Sequence, residues 1–146
     1  MLDIGPKGDG SIPPEEVNLL KELGAWNKKN GEGIFNTIAG MPQGHYYGAS
    51  TLSKDSTVVY LFVPAKTSAP VLIKGLKNSI KKVSVLGSDR PLDYKIVGKI
   101  SWSVVPGLTY ITLPENLQDK YMSVIKLELN GKLDLYRGKG GFLTNE

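Results

Sequence analysis

Cysteine is absent from the 146 residues, and histidine occurs once, at His45. Without thiols the chain has no disulfide framework, no zinc–thiolate site and no thiol nucleophile. A lone histidine leaves no histidine pair at metal-ligand spacing. It also leaves no serine triad, since no Gly-x-Ser-x-Gly elbow accompanies it. No apolar run approaches the ~20 residues that a transmembrane helix requires. No basic-then-apolar signal segment opens the chain, so a parent exported to the periplasm or secreted would carry its signal upstream. Arginine-rich stretches are missing as well. The net charge of +4 comes with 14 acidic residues spread along the chain. Lys74, Lys77, Lys81 and Lys82 therefore read as a solvated, edge-protecting surface rather than a nucleic-acid footprint. Neither a nucleic acid nor a membrane is an expected partner.

What is present suits one folded unit. A chain of 146 residues lies near the usual size of a single domain and can bury roughly 70% of its unfolded surface without a staple. Residues 13–30 predict an amphipathic helix. Pro13 and Pro14 suit its first turn, Glu15 and Glu16 its positive end, and Lys28 and Lys29 its last turn. Val17, Leu19, Leu20, Leu23 and Trp26 share one broad face. Asn30-Gly31 predicts a left-handed stop, and Gly24 predicts close packing against a neighbour. Before the helix, Leu2-Asp3-Ile4 and the glycine loop Gly5–Gly10 read as a strand and turn, half of a βα unit. A parallel strand needs a second strand and crossover, so the chain reads as starting within a larger sheet.

Beyond Gly31 the helical period ends. Residues 57–63 are apolar on both faces, as a central strand covered on two sides would be. Further strands are predicted at 46–52, 70–74, 81–86, 93–97, 100–105, 109–113, 122–129 and 133–136, with turn residues between them. Ser123, Ile125, Leu127 and Leu129 share a face, while Lys126 and Glu128 point the other way. Asn130-Gly131 predicts a hairpin. The expected fold is mainly β: an antiparallel sandwich of about eight strands, preceded by a strand-loop-helix unit. The expected organisation is a first unit at 1–31, a connector at 32–45 and the sandwich at 46–146.

Little chemistry is visible. The glycine loop lacks the Gly-Lys-Ser/Thr ending of a phosphate loop, and its glycine spacing is not that of a dinucleotide site. Asp9-Gly10 lacks the alternating acids of a calcium loop. Glycoside hydrolysis needs two carboxyl groups held a set distance apart, and no convincing pair appears. Asp9, Asp55, Asp89, Asp119 and Asp134 sit in or beside turns. No catalytic, metal or cofactor residue is assigned. The aromatic candidates for sugar contact are the cluster His45, Tyr46 and Tyr47, together with Trp102 and Tyr110 in strands beside the Pro106-Gly107 turn. Each also has a plain packing role.

Several runs then resemble one family. Residues 2–13 (Leu-Asp-Ile-Gly-Pro-Lys-Gly-Asp-Gly-Ser-Ile-Pro) resemble the segment that ends the catalytic barrel in α-L-fucosidases of glycoside hydrolase family 29. Gly24-Ala25-Trp26 and Asn30-Gly31-Glu32-Gly33-Ile34-Phe35 are similar to that family's next motif. His45–Gly48, Ser53–Asp55, Tyr60–Val63, Gly75–Lys77, Val85–Gly87 and Val124–Leu129 resemble the C-terminal domain of its gut-bacterial members. Asp3, Gly33 and Thr37-Ile38 depart from the usual Asn, Ala and Thr-Arg. The resemblance implies a retaining enzyme that releases terminal fucose from glycans. Its aspartate nucleophile and its acid/base would lie upstream, so no carboxylate here inherits either role. The implied partner is the parent's barrel, with glycan contact as an alternative. Self-association through Leu19, Leu23 and Trp26 is a further expectation, since an apolar helix face must be covered.

Overall fold

The computed structural model describes residues 4–64, 66–88 and 90–138. Helix α1 spans Pro14–Asn30, with Pro13 as N-cap. Among the described residues, eight strands follow: β1 (Thr37–Ala39), β2 (Ser50–Ser53), β3 (Val58–Pro64), β4 (Val71–Ile73), β5 (Ile80–Val85), β6 (Tyr94–Val97), β7 (Leu108–Ile111) and β8 (Met122–Leu129). They form a five-stranded sheet, β1-β2-β3-β8-β5, and a three-stranded sheet, β4-β7-β6. Every pairing is antiparallel.

The two sheets pack face to face. Val59, Leu61 and Val63 of β3 and Ile125, Leu127 and Leu129 of β8 meet Val71, Ile73 and Ile111 from the smaller sheet in one buried core. Alternation sends the remaining β3 and β8 residues to the opposite face. There Tyr60 and Val124, with Leu86, form a second cluster under Trp26 of α1. The molecule is therefore three layers deep, with helix, large sheet and small sheet in that order. This is why residues 57–63 are apolar on both faces.

Only the C-terminal half of α1 is anchored. The Trp26 indole donates to the Met122 carbonyl at 2.8 Å, and Asn30 is buried. Leu19 and Leu23 stay 60% and 43% exposed. A Cβ at Gly24 would meet nothing within 4 Å, so the expected close neighbour is absent. The left-handed stop is also absent. Gly31 has φ −59°, and the chain runs on into a 3-10 turn at Gly31–Gly33. Within that turn Gly33 packs closely on β8, where a Cβ would sit 3.1 Å from Val124 Cγ1. The left-handed residue comes later, at Asn36 (φ 59°).

Four further expectations change. The segment read as a connector contains the edge strand β1. Residues 100–105 form no strand but the loop between β6 and β7. Asn130-Gly131 turns the chain, with Gly131 at φ 87°, but no hairpin follows. Both edges of β8 are already taken, by β3 and by β5. Residues 133–136 leave to make a single bridge, Leu76 to Leu135. The strand expected at Leu2-Asp3-Ile4 lies largely outside the described residues, and Ile4 itself is in no strand.

Candidate functional site

The aromatic candidates separate in three dimensions. His45 is buried, and its ring Nδ1 lies 2.8 Å from the Lys74 carbonyl, the geometry of a donated ring N–H. Its own carbonyl accepts from the Lys74 amide at 2.8 Å. His45 thus ties the 42–45 turn to the end of β4, and Gly75 leaves room for the ring, since a Cβ there would fall 3.1 Å from Nδ1. Tyr46 turns inward. Its hydroxyl donates to the Phe62 carbonyl at 2.8 Å, and burial pushes it up to about 12. Tyr47 points outward with Lys74 Nζ 4.8 Å from its ring centre, a cation–π contact.

Trp102 is 84% exposed at the tip of the β6–β7 loop. Tyr110 on β7 lies opposite Leu72 and Lys95. Neither Trp102 nor any of the other four lines the two grooves that flank α1.

The first of those grooves was invisible in the sequence. Glu22, Ala25, Trp26 and Lys29 of α1 face Asp119, Lys120 and Tyr121 across an open space of about 340 Å³. Two carboxylates and two aromatics thus come together from segments 90 or more residues apart. Each carboxylate is already engaged. Lys29 Nζ lies 2.8 Å from Asp119 Oδ2, and the Tyr121 amide donates to Asp119 Oδ1 at 3.0 Å. Glu22 accepts from the Tyr121 hydroxyl and pairs with Lys120 at 3.5 Å. A retaining glycosidase needs one carboxylate free to attack and one carboxyl poised to donate. In this groove both carboxylates are held in ion pairs and hydrogen bonds.

The second groove is polar and occupies about 240 Å³ over the outer face of β5 and β8. Glu32 pairs with Lys126 Nζ at 2.5 Å and accepts from the Tyr60 hydroxyl at 2.9 Å. Burial alone would raise the Glu32 carboxyl, but bonds from Lys126 and Tyr60 and the lysine's charge outweigh it and hold it below its usual range. Burial, with Glu32 beside it, pushes Tyr60 up. A depressed carboxyl binds fewer protons folded than unfolded, so its stabilisation is present at neutral pH and is lost as pH falls through the folded value. Glu32→Gln should lower the melting temperature slightly at neutral pH and not at strongly acidic pH. Because Glu32 is about half exposed, the effect is at most ~1 kcal/mol and shrinks in high salt. An equal loss at both pH values would rule out the charge as its source.

Other acids serve the backbone. Asp9 accepts from both the amide and hydroxyl of Ser11, and Asp55 from Ser53 and Thr57. Those bonds hold both carboxyls below their usual range. Lys81 and Lys82 lie on β5, an edge of the large sheet, where charge discourages further pairing. Asp89 lies outside the described residues. Among the described residues, no group of three or more His, Asp or Glu side chains could hold a metal ion.

Residues 1–32 match the sequence model of the Alpha-L-fucosidase family. Over 92% of its length the chain superposes on an α-L-fucosidase from Vibrio sp. strain EJY3, with TM-score 0.71 and 29% identity. It superposes with TM-score 0.70 and 25% identity on α-L-fucosidase isoenzyme 1 of Paenibacillus thiaminolyticus, over 89% of this chain. The chain is related to the α-L-fucosidases. A family 29 enzyme from Bacteroides thetaiotaomicron, 18% identical, shares the fold over 88% of this chain at TM-score 0.67. The two-sheet architecture corresponds to fucosidase C-terminal domains. The chain spans only 24% of the Vibrio enzyme, 30% of the Paenibacillus one and 28% of the Bacteroides one. No curated protein matches it.

Proposed function

We propose that these residues form a non-catalytic, C-terminal accessory part of an α-L-fucosidase. In this reading the sandwich steadies a separate catalytic barrel, and α1 is the last piece of that barrel. The observation that carries it is the coverage. Nearly the whole chain aligns with fucosidase structures, yet it accounts for less than a third of each. The engaged carboxylates of the α1 groove support the same reading, because they leave no acid and nucleophile pair. Leu19 and Leu23, apolar and uncovered on α1, supply a surface for the barrel to bury. The parent's chemistry would be that of an α-L-fucosidase, which the family resemblance implies is release of terminal fucose from glycans, and would lie outside these residues.

The purified chain should release no nitrophenol from an aryl α-L-fucoside. Hydrolysis that disappears on replacing Glu22 or Asp119 would overturn the non-catalytic role. A carbohydrate-binding module is the second reading. Among the five aromatic candidates for sugar contact, only Tyr47 and Trp102 are largely exposed, and the Tyr47 ring already carries Lys74. Calorimetric titration with fucosylated oligosaccharides separates the two readings, since a structural accessory gives no saturable heat.

A further inference from the structure

The β6–β7 hairpin carries an apolar tip that the fold leaves uncovered. Trp102 and Val104 are 84% and 83% exposed, and Val97, Ile100, Val105 and Leu108 each retain between 37% and 46%. We propose that this tip is a self-association surface, docking against the same tip of a second copy of the chain.

The loop is built to hold that shape. Val97 and Leu108 pair at its base. Gly98 supplies a left-handed residue at φ 79°. Gly107 lets the two arms close, since a Cβ there would lie 2.6 Å from the Val97 carbonyl oxygen. Within the loop the Ser103 amide donates to the Ile100 carbonyl at 3.2 Å, and the Val105 amide to Ser103 Oγ at 3.1 Å. These two bonds hold the bend of the loop, so the ordering cost of docking falls mainly on the side chains.

Area and charge select the occupant. The six side chains present on the order of 600 Å², the upper end for an ordinary monomer's largest patch and near the ~800 Å² per partner of a standard interface. From Tyr94 to Leu113 there is no carboxylate, and the only cations are Lys95 and Lys99. Apolar surface meeting its own copy about a two-fold axis needs no complementary charge, and two lysines can stay wet at the rim. An anionic lipid surface would call for a denser basic rim than two lysines provide. A sugar ring would stack on Trp102 and leave the valines in water. The uncovered leucines of α1 lie on the outer helical layer, while this hairpin belongs to the small sheet on the far side. A partner seated on α1 alone therefore does not cover the hairpin.

Sedimentation equilibrium of the full chain should show a reversible monomer–dimer equilibrium at micromolar concentration. Trp102→Ser with Val104→Ser should weaken it by about tenfold or more, as loss of a central tryptophan anchor does. Both positions are so exposed that the melting temperature should not move. If it does, Val104→Lys alone repeats the test. Leu19→Ser with Leu23→Ser should leave the dimer intact. A chain that stays monomeric throughout, or a dimer lost with the helix variant and not with the tip variant, overturns the proposal. So does tip-dependent binding to fucosylated oligosaccharides or to phosphatidylserine vesicles in place of dimerisation. None of these outcomes bears on whether the chain is catalytic.

Discussion

Leu61→Ala should destabilise the chain by about 3–4 kcal/mol, in the middle of the range for buried leucine truncations. Leu61 is fully buried and lies in β3, paired on one side with Ser50 of β2 and on the other with Ile125 of β8. Strands on both sides hold its backbone in place, so the neighbours cannot collapse into the space it leaves. The vacated volume would open where the two sheets meet, among Ile73, Ile111 and Leu127. Urea denaturation reads the loss as a lower midpoint at unchanged slope. Leu61→Met, which keeps the volume, should cost less than ~1.5 kcal/mol. A Leu61→Ala loss as small as that of the methionine variant would mean that the core between the sheets is far looser than described.

Trp26→Ala should cost about 3 kcal/mol and should act mainly on α1. The substitution removes the indole that packs on Tyr60, Leu86 and Val124, and it leaves the Met122 carbonyl without its donor. An isolated 17-residue helix is marginal in water, since most helical stability in proteins comes from tertiary packing. Along the rest of α1 the cover is thin, with Val17 and Leu20 only partly buried and Leu19 and Leu23 exposed. Far-ultraviolet circular dichroism should therefore lose helical signal at temperatures where the sheets still melt cooperatively. Trp26→Phe keeps most of the apolar contact and should lose about 1 kcal/mol, the worth of one hydrogen bond. Loss of helix and sheet together in Trp26→Ala would show that α1 is integral to the sandwich core.

The features legible from the sequence are those whose causes lie within a few residues. The turn chemistry at Pro13-Pro14 and the charges at either end define α1 to within a residue of its observed span. The alternation of β8 separates Ile125, Leu127 and Leu129 from Lys126 and Glu128, and both sets lie where the period puts them. The run 57–63 announces a strand covered on two faces. The family motif lies in residues 1–32, where local signal is densest.

What the sequence concealed depends on partners that are distant along the chain. Residues 100–105 alternate like a strand, yet they turn between Gly98 and Gly107 and project Trp102 into solvent. The residues after Asn130-Gly131 have strand character but no free edge on β8 to join. His45 reads in the sequence as a candidate sugar contact beside two tyrosines, and the fold spends its ring on the Lys74 carbonyl. The α1 groove joins residues 22–29 to 119–121 with no shared motif.

By itself, then, the sequence determined the helix, the phase of the central strands, the mainly antiparallel β class and the kinship with α-L-fucosidases. The first three follow from spacing and residue type over short windows, and the last from the resemblance of short motifs to the family's own. Tertiary structure decided which apolar runs become strands, which aromatics are buried and which carboxylates stand together. A strand exists only where a neighbour offers an open edge, and a side chain is exposed only where no other layer covers it. Those are properties of the assembled sheets, so no local pattern could carry them.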